Sequence, residues 1–477
     1  MDSPLAYDLL IVGGGPAGMA AASAASGHGL SIGVVDEQPR PGGQILRQPP
    51  ATFSVPGWLG DRAYRDVRAA LAGFEALTDV TWHGARSVIG LVRQAGGEGF
   101  ILYLAGADGV VRATAAHVLI ATGCYDLPLP LAGWTLPGVM AAGGVQAFIK
   151  SQQFVPGDRF VLAGTHPLML VVAAQIVAGG GTVETVAFEQ PLTAMMAAML
   201  RHAGAAVRHA ATLAVAAGAM WSLFRRGVPV RFGARLDAIE GGTGVEAVTL
   251  SRRNGGQGRL TCDRVALCYG FVPQSDLSRL AGAAVRWAPT AGGWCTNHDS
   301  WMRTDVPGLS IAGETAGVAG AACALAEGRL AALGILLDAG LIDEATAVAG
   351  AGPLHRDLRR LRRFADMLAA IADPGSALAR TPPPETILCR CEDVSFAVVA
   401  AVLDEADAPN AVKLITRVGM GLCQGRSCEA ALLRLLAARD GRAIAAGFTA
   451  RFPIRPVRIG DLVSVADSAT NLPPAAR

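Results

Sequence analysis

The stretch 8–18, Asp8-Leu9-Leu10-Ile11-Val12-Gly13-Gly14-Gly15-Pro16-Ala17-Gly18, constrains the fold of this chain more than any other. Its apolar half reads as a buried strand. Its glycine half predicts a tight turn into a helix. Gly13 lets the chain turn, Gly15 lets backbone approach a pyrophosphate, and Gly18 lets helix and strand pack closely. Pro16 and Ala17 open the helix, whose N-terminus presents N–H donors to phosphate. About twenty residues on, Ser31-Ile32-Gly33-Val34-Val35 predicts a second strand ending in Asp36-Glu37, an acid at the distance a ribose hydroxyl requires. Asp36 follows the apolar run directly and is preferred to Glu37. An ordinary turn between strand and helix requires none of these accompaniments.

At 477 residues the chain has room for two or three domains. Apolar residues make up 51% and charged residues 17%, so a large core is available and disorder is not expected. The formal net charge of +2 gives no general reason to expect nucleic acid or an anionic membrane as partner. The first residues do not read as a signal peptide: a basic start is missing, and their apolar run is the first strand. No transmembrane segment is expected. The longest apolar candidate, 210–224, is short, is broken by Ser and Thr and is bounded by Arg208 and Arg225, so it reads as a buried helix, with a peripheral membrane contact as the lesser alternative.

After Asp36 a Pro/Gly loop follows, which reads as a plain surface loop or, if the chain resembles a flavoprotein, as the loop beside the flavin, with Gly42 and Gly43 allowing close approach and Gln44 offering an amide to the ring edge. The strand-like run 117–121 ends in Thr122-Gly123, which resembles the turn that closes over the first nucleotide in two-dinucleotide flavoproteins. Gly133-Trp134-Thr135-Leu136-Pro137-Gly138-Val139-Met140 and Gly143-Gly144-Val145-Gln146 mark a fixed loop before a helix. A second strand–turn–helix unit begins at 158–168, and its next strand ends at Glu189. There His166 stands where the second glycine belongs, so a side chain intrudes on the pyrophosphate position and NAD(P) is doubtful. Residues 229–250 alternate like a hairpin. The strand 264–269 then leads to a second closing turn at Gly270. Strand 309–312 returns the chain to the first unit and ends in Gly313-Glu314, with Glu in the place where flavoproteins usually have Asp. The basic run 356–363 reads as a solvated helix face, and 381–384 as a stiff linker.

Beyond the linker the cysteines cluster. Of nine, five are scattered (Cys124, Cys262, Cys268, Cys295 and Cys323) and four gather late, at Cys389, Cys391, Cys423 and Cys428. An odd count without secretion signals points to a reducing compartment, hence a cytoplasmic chain or one peripheral to the inner face of the membrane. Two close thiolate pairs suit zinc or an iron–sulfur cluster. Zinc knuckles use CxxC pairs, and the spacings here, CxC and CxxxxC, favour [2Fe-2S], with zinc or no metal as alternatives.

The predicted fold class is therefore α/β: two dinucleotide-binding units, Rossmann-like and of the disulfide-reductase type, and a small helical C-terminal [2Fe-2S] domain. The expected boundaries are 1–155 and 276–340 for the first unit, 156–275 for an inserted second unit, 341–385 for a helical segment and linker, 386–445 for the cysteine domain and 446–477 for a tail.

Gly42-Gly43-Gln44-Ile45 with Arg47, the stretch 133–140, and Cys389-Arg390-Cys391-Glu392 together resemble the FAD-containing α subunit of heteromeric, dye-linked amino-acid dehydrogenases. That group includes opine oxidases, proline and hydroxyproline dehydrogenases and hydrogen cyanide synthase. The tail cysteines resemble the bacterioferritin-associated-ferredoxin type of [2Fe-2S] domain. The resemblance covers nearly the whole chain. It implies FAD held at Gly13, Gly15, Pro16, Ala17, Gly18, Asp36, Glu37, Gly43, Gln44, Thr122, Gly123, Gly313 and Glu314. It also implies a β subunit that carries its own flavin and oxidises the C–N bond, a small ferredoxin-like γ subunit, and FMN at a subunit interface. No catalytic acid or base is assigned to this chain, and Cys124, without a nearby cysteine, reads as packed. Two other functions fit the motifs: a stand-alone NAD(P)H-dependent reductase passing electrons through FAD to iron–sulfur, and a scaffold subunit holding ATP.

Overall fold

The computed structural model describes residues 5–53, 55, 64–94, 96–252, 255–289, 293–406, 408–441, 443–444 and 446–467. The end of the expected tail, 468–477, lies outside them.

The first unit is built on one sheet, in the order Val80–His83, Ile32–Val35, Leu5–Val12, Gly109–Ile120, Phe100–Gly106, Ser87–Arg93. The strand Gly109–Ile120 has two kinds of neighbour along one edge. Its first half pairs antiparallel with Phe100–Gly106, and its last three residues pair parallel with Leu309–Ile311. Val12 is level with Val35 on one side and Ile120 on the other, and Ile120 is level with Ile311. The carboxyl ends of four parallel strands thus share one edge, where such sheets bind ligands. These strand ends are buried on both faces, which explains their unbroken apolar sequence. Helices Pro16–Ala25 and Ala321–Asp338 cross on one face. A side chain on Gly328 would overlap the Ala17 carbonyl, so the crossing depends on glycine there.

The second unit is a five-stranded parallel sheet, in the order Val230–Phe232, Thr182–Phe188, Arg159–Gly164, Arg264–Cys268, Val139–Ala141, with a three-stranded antiparallel sheet beside it. Val139–Ala141 lies upstream of residue 156, so this sheet begins before the expected boundary. The expected hairpin at 229–250 is divided. Val230–Phe232 extends the parallel sheet, and Ala234–Glu240 pairs with Ala247–Arg252 in the antiparallel one. The positive φ of Gly233, 66°, marks the break between them. Two short antiparallel strands, Cys124–Asp126 and Phe271–Pro273, carry the chain out of the first unit and back.

The helix Ala210–Arg225 corrects an expectation. It forms, but among its sixteen residues only Leu223 is buried. With Leu192–Arg201 and Ala203–Arg208 it makes an excursion between two strands of the second sheet. One side of the excursion rests on Met169, Ile176, Phe364 and Met367, and the other faces outward. Helix Glu344–Ile371 is not merely solvated along its basic run. Leu358 enters the core, and Arg362 pairs with the buried Glu327 at 3.0 Å.

The cysteine domain folds around Leu388, Val399, Val412, Val418 and Leu432. The segment after it returns to the first unit. Phe452 packs on Tyr103 with ring centroids 5.1 Å apart, the Ile454 N–H donates to the Ile89 carbonyl, and Arg455 reaches Glu37 at 2.8 Å.

Candidate flavin site and cysteine cluster

The glycine turn is wedged between strand ends. Gly13 has φ +114° and donates its N–H to the Val35 carbonyl, and a side chain there would overlap the Ala121 carbonyl. Gly18 is equally confined, against Gly13. Gly15 differs: a Cβ there would meet nothing nearer than Gly43 Cα, at 3.8 Å. The turn is closed below and open above, where backbone N–H groups at the start of Pro16–Ala25 lack partners within the helix. That opening fits a pyrophosphate. Gly42 donates its N–H to the Gly14 carbonyl at 2.8 Å, and Gly43 backs onto Gly15. Ala17 is buried under helix Ala321–Asp338 and serves that packing.

The structure separates the two acids. Asp36 accepts from the Gly14 N–H at 2.6 Å and from the Gln38 N–H at 2.7 Å. Burial pushes its carboxyl above the ordinary value, and those two N–H groups oppose the shift. Each of its oxygens keeps a second lone pair for a hydroxyl. Glu37 is exposed and pairs with Arg455. Gln44 is also exposed, and its amide oxygen accepts from Arg47 at 3.0 Å, so the expected ring-edge amide is held by a neighbour. Ile45 lines the cleft described next.

That cleft, about 1700 Å³, runs between the units and is lined among others by Ile45, His166, Phe271, Arg286, His298 and Glu314. Gly317 and Gly320 lie at the start of helix Ala321–Asp338, with no atom within 4 Å of where a side chain would begin. The positive end of a helix is thus left accessible, which suits an electron-rich ring edge. Thr122 and Thr315 both donate their hydroxyls to the Gln274 carbonyl, and the Gln274 N–H returns a bond to the Gly123 carbonyl. The closing turn, the 313–315 turn and the return strand are held as one block. The Gly313 N–H donates to the buried Glu327 at 3.0 Å. Glu314 accepts from the Cys124 thiol at 2.8 Å, and burial, with this carboxylate nearby, raises that thiol's pKa. Cys124 is thus held protonated, in keeping with a packed role.

Several residues that hold this site carry no mark in the sequence. Lys150 is buried, donates to the Ile45 carbonyl at 3.0 Å and to Gln146 at 2.9 Å, and burial lowers its pKa to about 8. Glu327 and Arg362 brace the 313–314 turn from behind. The one available signal was an acid inside an alanine-rich helix, since a charge there needs a partner. The 133–146 loop is a junction. Trp134 Nε1 donates to the Ile387 carbonyl at 2.6 Å, Arg390 lies over the Trp134 ring, and Asp126 accepts from the Gly143 N–H.

The second turn is filled from within. His166 Nδ1 accepts from the Leu168 N–H at 3.1 Å, and its ring sits edge-on to Phe271. Burial drops its pKa to about 4, so the ring is neutral. The ring is half-buried and lines the cleft between the units. Glu189, the acid at the ribose position, is paired with Arg380 at 2.9 Å and accepts from the Ser376 hydroxyl. Gln190 donates to the Thr165 and Ile371 carbonyls. Chain from 371–380 therefore crosses the strand ends where a second nucleotide would lie.

The four late cysteines fall into two touching pairs, Cys389 with Cys428 and Cys391 with Cys423. The Cys428 thiol and the N–H groups of Gly419, Glu392 and Cys391 donate to Cys389 and bring its pKa down to about 5. Cys389 and Cys428 are buried, Cys423 is half-buried and Cys391 is exposed. Among the described residues, no three His, Cys, Asp or Glu side chains are arranged to hold a metal ion as they stand. The donor chemistry suits thiolate ligation.

Residues 7–328 match the pyridine nucleotide-disulphide oxidoreductase family. The chain belongs to that family. It is a flavin-dependent oxidoreductase. An opine oxidase subunit from Agrobacterium tumefaciens (strain Ach5) is 33% identical to it, aligned over 98% of this chain and 93% of the relative. Hydrogen cyanide synthase subunit HcnB of Pseudomonas protegens is 30% identical over 94% of this chain and 96% of its own. The crystal structure of L-proline dehydrogenase from P. horikoshii shares the fold, with a TM-score of 0.68 at 20% identity over 96% of this chain and 80% of that one. By their names, the first two relatives are subunits of larger enzymes. Among the described residues, no helix of this oxidoreductase is long and apolar enough to cross a membrane.

Proposed function

We propose that this oxidoreductase is the FAD-binding, electron-transferring subunit of a heteromeric amino-acid or opine dehydrogenase. The observation that carries the reading is the covered second site. With His166 in the turn and Arg380 on Glu189, protein side chains occupy the pyrophosphate and ribose positions of a nicotinamide nucleotide, which counts against a stand-alone NAD(P)H reductase. The names of the relatives supply the substrate class. In this reading a β subunit with its own flavin oxidises the C–N bond, a small ferredoxin-like γ subunit completes the assembly in the cytoplasm, and FMN lies at a subunit interface. A dye- or quinone-type acceptor, or oxygen, takes the electrons.

In this subunit, FAD when bound supplies the change from two-electron to one-electron transfer. The Gly13–Gly18 turn holds the pyrophosphate, Asp36 the adenosine ribose, and the 313–320 turn the ribityl and ring end. Gly43, Thr122 and Gly123 close over the site, and Glu37 is tied back to Arg455. Cys389, Cys391, Cys423 and Cys428 hold [2Fe-2S], a one-electron carrier. Arg426 pairs with Asp276, and Arg279 with Glu429, so the cysteine domain is fixed against the flavin unit.

The test is an absorbance spectrum of the anaerobically purified chain, with released flavin identified by mass and iron quantified. FAD with about two irons per chain is expected, together with no bleaching by NADH and weak amino-acid oxidation until the partner subunits are co-expressed. Bleaching by NADH would restore the reductase reading. ATP in place of FAD, or zinc in place of iron, would leave a scaffold.

A further inference from the structure

The small net charge of the whole chain conceals one strongly one-sided region. Between Glu189 and Asp237 there is no acidic residue, and there are six arginines: Arg201, Arg208, Arg225, Arg226, Arg231 and Arg235. The three-helix excursion falls within this interval. It exposes large apolar side chains on each helix: Leu200 is 73% accessible, Val207 78%, Trp221 61% and Phe224 71%. Trp221 and Phe224 stack on one another at 5.7 Å on that outer side. From 210 to 224 the helix carries no charge, yet it is mostly exposed. A helix of that composition is normally covered. Arginines stand at its end, at Arg225 and Arg226, and at the ends of the two helices before it, at Arg201 and Arg208. Among the described residues these four make no ion pair with an acid.

We infer that the helices of 192–226 form a docking surface for an anionic lipid membrane, lying in the headgroup plane without crossing the bilayer. Exposed Trp, Phe, Leu and Met beside arginines match the make-up of interfacial helices, in which apolar side chains enter the acyl boundary and cations meet the headgroups. Charge of a single sign is what distinguishes this occupant. An anionic surface complements the arginines at the helix ends at once, each adding to the attraction over about a Debye length, whereas Arg235 is already paired with Asp237. This inference does not depend on the substrate or on the cysteine cluster.

The test uses the full chain in flotation with phosphatidylcholine vesicles, with and without phosphatidylglycerol, at low and high salt. Binding is expected only with phosphatidylglycerol and is expected to weaken with salt. The double variant Trp221→Glu/Phe224→Glu should lower partitioning by about tenfold or more. Arg225→Gln/Arg226→Gln should lower it by roughly tenfold while keeping the apolar face. Melting temperature and circular dichroism report whether each variant is folded, and the arginine pair reads the surface even if the acidic pair unfolds. Three results would overturn the proposal: no binding of the full chain to phosphatidylglycerol vesicles, unchanged binding by both folded variants, or a co-expressed complex that protects Trp221 and no longer floats. The last would assign the face to a protein partner.

Discussion

Arg380 Nη2 lies 2.9 Å from Glu189 Oε2, joining the segment before the linker to the acid at the end of strand Thr182–Phe188. The Glu189 side chain is only 10% accessible, so the pair closes the position that a nucleotide ribose would take. Removing Arg380 leaves a nearly buried carboxylate without its cation. Arg380→Ala should cost about 2–4 kcal/mol of unfolding free energy, and Arg380→Ala/Glu189→Gln clearly less, because the stranded charge is then gone. Urea unfolding of the two variants measures this. Equal losses would mean that the pair is incidental. With His166 still in the turn, neither variant should become reducible by NADH.

The glycines of the first turn make opposite demands, and substitution can tell them apart. Gly18→Ala drives a methyl into the Gly13 carbonyl and should lower stability by about 1–3 kcal/mol while also weakening flavin retention. Gly15→Ala meets no atom of the chain within 3.8 Å. It should be purified with little flavin and yet melt within a degree or two of the flavin-free parent, since the methyl enters only the space above the turn. Thermal melting with flavin absorbance separates the two. A Gly15→Ala protein with full flavin would place the pyrophosphate elsewhere.

What the sequence disclosed follows from how local each requirement is. A left-handed turn that packs a helix closely against a strand needs glycines at fixed spacing, so the turn through Gly13, Gly15 and Gly18 was readable. The closing turn at Thr122-Gly123 was readable as a strand end, but its partner Gln274 lies 152 residues away and had no local mark. Glu327, Arg362 and Lys150 act through contacts that only the fold creates. The helix 210–225 was misjudged for a related reason. Its composition says that it must be covered, but composition does not say whether this chain does the covering. The hairpin expected at 229–250 failed because alternation does not reveal that Gly233 passes a strand from one sheet to another.

Attachment of the cysteine domain should depend on Arg279. Its guanidinium meets Glu429 at 3.1 Å, donates to the Phe448 carbonyl and lies over Trp294, and both charged side chains are largely buried. Arg279→Ala removes a cation and two classes of hydrogen bond at that seam. It should cost about 3–5 kcal/mol of docking free energy and raise amide exchange across 429–448. Exchange within strand Leu5–Val12 should stay as in the parent. If both regions loosen together, the seam is not a separable unit.

Lys150 gives the chain a pH dependence whose sign can be worked out. Burial holds its folded pKa near 8, against 10.5 for the ordinary side chain. Below about pH 8 both folded and unfolded chains carry the proton, and the folded state bears the full cost of a buried ammonium. Between pH 8 and about 10.5 the unfolded chain keeps the proton and the folded chain has lost it, so this group's contribution makes stability rise with pH. The gain totals about 3 kcal/mol across that window. Lys150→Met removes the buried charge and keeps much of the volume, at the cost of the bonds to Ile45 and Gln146. Urea unfolding from pH 7.5 to 10 should therefore show a rising component in the parent that is missing in the variant. The difference between the two curves isolates Lys150 from every other titrating group. Parallel curves would mean that the ammonium is solvated in the folded protein, and that the Ile45 carbonyl and the Gln146 amide do not enclose it.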